Sequence, residues 1–85
     1  MEFGDRLKLV RKIVMHARTP EEIQQCALFI GEGGLGHDAG GENPDPFFVA
    51  MALVMRICAN PTAVANLETL LDEIATYRAQ QPSNG

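Results

Sequence analysis

The sequence predicts an all-α protein: a small four-helix bundle made of two helical hairpins joined by a long glycine-rich loop. Three observations predict it. Apolar residues recur at spacings of three and four through four segments of the chain. Three of those segments open on a capping residue followed directly by proline: Thr19-Pro20, Asp45-Pro46 and Asn60-Pro61. No segment shows the strict apolar–polar alternation of a half-buried strand. At 85 residues the chain makes one domain. We place it at residues 1–80, with 81–85 as a disordered tail.

The first helix is expected over about 5–17. Phe3, Leu7, Val10, Val14 and Ala17 share one face, with Ile13 beside them. Lys8, Arg11, Lys12 and His16 fall opposite. The second helix is expected over 20–30. Thr19 caps it, Pro20 opens it, and Glu22 stands at capping-box spacing from Thr19. Ile23, Cys26, Ala27 and Ile30 form its apolar face, with Phe29 at the edge, and Gly31 ends it.

Residues 31–46 hold six glycines and two prolines, so 31–45 reads as loop. A loop of that length in so small a domain is uncommon and is usually functional or mobile. The third helix is expected over 46–59 and is apolar almost all round, with Arg56 its one charge. The fourth is expected over 61–80, with Val64, Leu67, Leu71, Ile74 and Arg78 in register and Leu70 and Tyr77 alongside. The short 1–2 and 3–4 turns are what suggest two hairpins.

Composition narrows the function classes. The chain is 46% apolar with no Trp, one Tyr and four Phe, so its core must be aliphatic. No run reaches the roughly 18–20 apolar residues of a membrane span. The N-terminal residues lack the h-region and cleavage site of a secretory signal, so the expected location is cytoplasmic. Cys26 and Cys58 both sit in apolar helical patterns and read as two buried free thiols.

No catalytic constellation is legible. Gly31-Glu32-Gly33-Gly34-Leu35-Gly36 follows a helix and precedes His37-Asp38, whereas a phosphate loop follows a strand and precedes Lys-Ser/Thr. The loop oxygens of Asp38, Glu42, Asn43 and Asp45 miss the calcium-loop spacing. His16 and His37 have no recognisable nucleophile to serve, and Ser83, in the tail, is the single serine. We expect no enzyme, no cofactor and no metal site.

The charge is uneven. Residues 1–18 hold five basic side chains against two acids, and residues 19–85 hold two against nine. The expected function is therefore non-enzymatic protein–protein contact by a small acidic helical protein. It would serve as an accessory, adaptor or inhibitor of a larger assembly. The expected contact residues for an unidentified partner protein are Glu32, Asp38, Glu42 and Asp45, with Arg11 and Lys12 as a second patch. The surplus apolar surface of the third helix points to a homodimer through Phe47, Phe48, Met51, Val54 and Met55. Arg56 is expected to pair with Glu68, Asp72 or Glu73 of the fourth helix. The alternative is a small nucleic-acid-binding regulator using the basic face of the first helix; the net charge of −4 weighs against it.

Overall fold

The computed structural model describes residues 2–33 and 45–81. Among them the chain forms four helices and no strand: α1 Phe3–His16, α2 Pro20–Phe29, α3 Pro46–Ile57 and α4 Pro61–Gln80. No helix of the described residues is long and apolar enough to cross a membrane.

The three cap-proline signals act as local chemistry requires. The Thr19 hydroxyl accepts from the Glu22 amide at 3.2 Å, Asp45 Oδ1 from the Phe47 amide at 2.8 Å, and Asn60 Oδ1 from the Ala63 amide at 3.2 Å. Each satisfies one of the amides that a helix start leaves without a carbonyl. The reciprocal half of the capping box is shifted by one residue: Glu22 Oε2 accepts from the Arg18 amide at 2.7 Å rather than from that of Thr19. Thr19→Ala is expected to cost about 1 kcal/mol of stability. Urea unfolding monitored by circular dichroism measures it, with Thr19→Ser near neutral as the control.

Gly31 ends α2 with a left-handed φ of +87°. There the Glu32 amide donates to the Ala27 carbonyl at 2.7 Å and the Gly31 amide to that of Leu28 at 3.0 Å. This is the Schellman exit, and the glycine supplies the positive φ that a Cβ would strain.

The core is aliphatic. Its largest fully enclosed side chains are Ile13, Ile23, Val49, Leu53, Val54, Ile57, Leu67 and Leu71, and no described polar or charged residue is buried. The helix order in space departs from two hairpins. α1 and α2 hardly touch, although they are joined by the shorter of the chain's connections to α2. Both pack mainly on α3, and α4 lies chiefly against α1. The reason is apolar supply. Val49, Ala50, Leu53, Val54 and Ile57 give α3 five buried residues, more than either α1 or α2 sends inward from its own helical span. The helix with the widest apolar arc takes the central place, because burying it removes the most apolar surface from water.

The α1 face is also rotated from the expected stripe. Leu9, Val10 and Ile13 are buried, with Ala17 at the helix exit, whereas Phe3 is exposed and Leu7 and Val14 are half-buried. Phe3 sits in the first turn, beyond the reach of the core.

Candidate interaction surface

α3 carries two apolar faces. At about 100° per residue, Val49, Leu53, Ile57, Ala50 and Val54 occupy one side, and Phe47, Met51, Met55 and Phe48 fall within about 100° on the other. The first side is the core. The second is open: Phe47 is 43% exposed, Phe48 65%, Met51 39% and Met55 59%. Val54 does not belong with them. It is 1% exposed and packs within the core, so the expected interface set loses this member. By helical angle Val54 stands at the boundary, about 40° from Ala50 and about 20° from Phe47, and it is the packing of the other helices that encloses it.

A cation closes one end of the open face. Arg6 of α1 lies over the C-terminal part of α3, with Nη1 at 3.9 Å from Met55 Sδ. A thioether is a weak acceptor. Arg6 Nε is shielded and has no acceptor, and no carboxylate pairs with Arg6 among the described residues. Asp45 marks the other end, capping the first turn of α3. Arg6 was not singled out by sequence. Its position three residues after Phe3 on an amphipathic helix carries no signal of a neighbour 49 residues away.

The charged patches fare unevenly. Lys12 is engaged within the chain, with Nζ at 2.9 Å from Asp72 Oδ1. That pair ties α1 to α4 and takes Lys12 out of a free basic stripe. Asp72 is largely exposed, so the pair is worth little to stability. Arg11 is exposed on α1, and Glu32 is half-buried at the α2 exit. Asp38 and Glu42 lie outside the described residues, as does His37.

Arg56 reaches back to α2 rather than to the acids of α4: its Nη1 donates to the Gly33 carbonyl at 2.6 Å. By helical angle Arg56 falls beside Val49 on α3, and the α2 exit reaches it there.

A cleft of about 470 Å³ opens between α2 and α4, with Cys26, Phe29, Ile74, Tyr77 and Arg78 among its walls. His16 lines it too, at the end of α1. Arg78 Nη2 meets Glu22 Oε1 there at 3.4 Å. The exposure of Phe29 and Tyr77 follows from the sparse packing of α2 on α4. No three His, Cys, Asp or Glu side chains among the described residues converge as a metal site.

The two thiols are free but differ in burial. Cys26 is buried, whereas Cys58 is only half-buried at the α3 C-cap, its thiol directed to the Met55 carbonyl at 3.4 Å. The expectation of two buried thiols holds for Cys26 alone, because Cys58 stands past the end of the helix face that enters the core. Burial first, and the Glu22 carboxylate second, push the Cys26 thiol above its ordinary value. The unfolded chain then ionises this thiol before the folded one does. Stability is therefore fully present below the ordinary thiol pKa of about 8.5 and falls as pH rises past it. Urea unfolding at neutral and at alkaline pH is expected to show that loss, and Cys26→Ala is expected to reduce it. Under native conditions iodoacetamide should label Cys58 before Cys26.

Fold and surface together define a small all-α protein with an aliphatic core and one helix that is apolar on both sides. The chain matches no family model, no curated protein and no solved structure.

Proposed function

We propose that this protein works without catalysis, by protein–protein contact, and that the outer face of α3 joins two copies into a homodimer. The observation that supports this is the exposure of Phe47, Phe48, Met51 and Met55 on a helix whose other side is already core. At their exposures these four side chains leave on the order of 400 Å² open, taking about 200 Å² for a large side chain. A patch of that size is at the level where monomer surfaces are often functional. It is about half of the roughly 800 Å² that each partner gives to a standard interface. The remainder would come from a polar rim supplied by α1. The dimer would then act as an accessory, adaptor or inhibitor, with Arg11, Glu32 and the acidic surface left to meet a further protein.

Light scattering behind size-exclusion chromatography, run over a concentration series, tests the self-association. A mass of twice the 9.3 kDa chain is expected, falling towards the single chain on dilution. A single-chain mass at every concentration overturns the reading.

A further inference from the structure

We propose that the two copies meet antiparallel across α3, about a two-fold axis that passes at Met51. The inference rests on the self-association reading above and adds its register.

The layout of charge along the open face supports it. The open stripe is uncharged along its length and carries opposite charges at its two ends. Asp45 caps the N-terminal end, and Arg6 lies against Met55 towards the C-terminal end. The span from Asp45 to Met55 is about 15 Å at helical rise. Met51 is near its middle, with Phe47 and Phe48 on one side and Met55 on the other.

A two-fold interface brings the same patch of each copy together. If the copies ran parallel, Arg6 would face the partner's Arg6 and Asp45 the partner's Asp45, and both encounters repel. If they run antiparallel through Met51, Met55 meets the partner's Phe47 and Phe48. Sulfur against an aromatic ring is a favourable contact. Arg6 then comes within about half a turn of the partner's Asp45. The cation that pairs with no carboxylate among the described residues acquires one, and the reciprocal pair forms at the other end. Asp45 Oδ1 remains the cap of α3 through the Phe47 amide. The pair sits at the rim, where it would set orientation more than affinity. The second copy is the occupant this face favours, because each end of the stripe supplies the charge that its other end lacks.

Cysteine cross-linking reads the register directly, because a disulfide needs the two Cα atoms within about 7 Å. Met51→Cys, Phe48→Cys and Met55→Cys are prepared in the natural chain. All three positions are exposed, and circular dichroism checks that each variant folds. Oxidation with copper–phenanthroline is run beside the wild-type protein, which sets the background from Cys26 and Cys58. The expected result is a disulfide dimer from Met51→Cys. Phe48→Cys and Met55→Cys should give none alone, and a cross-linked dimer when mixed. Arg6→Glu should weaken the dimer by about tenfold.

Cross-linking at all three single positions means parallel helices and overturns the proposal. Cross-linking at none of them, with the wild type still dimeric by light scattering, means another face joins the copies and overturns it as well. A wild type that is monomeric at every concentration overturns the self-association reading beneath it. An unchanged dimer in Arg6→Glu overturns the end-to-end charge pairing.

Discussion

Met51→Asp is expected to split the dimer into folded monomers. The substitution puts two carboxylates against each other at the centre of the proposed contact, one from each copy. A charge at the middle of an apolar interface must be desolvated without a counter-ion, which costs far more than losing the thioether contacts. The dissociation constant should rise by roughly 100-fold or more, about 2.8 kcal/mol. The fold of the single chain should survive, because Met51 points away from the core and is 39% exposed in the protomer. Light scattering reads the mass and far-ultraviolet circular dichroism reads the helix content. A variant that is still fully dimeric would remove Met51 from the contact. A variant that loses its helices would show that the outer face is needed for the fold itself.

Leu53→Ala is expected to have the opposite profile. Leu53 is two residues further along α3 and is fully enclosed, so its truncation leaves a cavity among aliphatic neighbours. The expected loss is about 3 kcal/mol. For a chain of this length that is a large part of a total stability of roughly 4–13 kcal/mol. The melting temperature should fall by roughly 12–24 °C. Thermal unfolding at several protein concentrations separates the two effects. Leu53→Ala should melt lower throughout while keeping the rise of melting temperature with concentration that a dimer shows. Met51→Asp should lose that rise. If Leu53→Ala costs less than about 1 kcal/mol, the inward assignment of this α3 face is wrong.

Local structure was largely legible from the chain. Thr19, Asp45 and Asn60 each bond an amide two or three residues on, and at the α2 exit the Gly31 and Glu32 amides answer carbonyls three and five residues back. Such interactions depend on a few neighbouring residues, so a short stretch of sequence suffices to predict them. The aliphatic core followed from the supply of side chains. The candidate surface was legible in part. The sequence of α3 shows more apolar surface than one small fold can use, but it does not tell the two faces apart. Both read as apolar stripes at helical spacing, and Val54, which spacing alone allows on either, belongs to the core.

The rest depended on where the other helices lie. Lys12 reads as part of a basic stripe until α4 brings Asp72 within 2.9 Å. Arg56 reads as a partner for the α4 acids until the α2 exit presents the Gly33 carbonyl at 2.6 Å. Arg6 gains its place only because α1 lays it over Met55. Four helix segments, the starts of three of them, the stop of α2 and the aliphatic core all follow from the chain alone, since each is settled by contacts within a few residues or by composition. The place of α3 between α1 and α2, the choice of its core face and the engagement of the long side chains come from the packed fold. Those outcomes turn on burying the most apolar surface across the whole chain at once, and that is a property of the packed helices together.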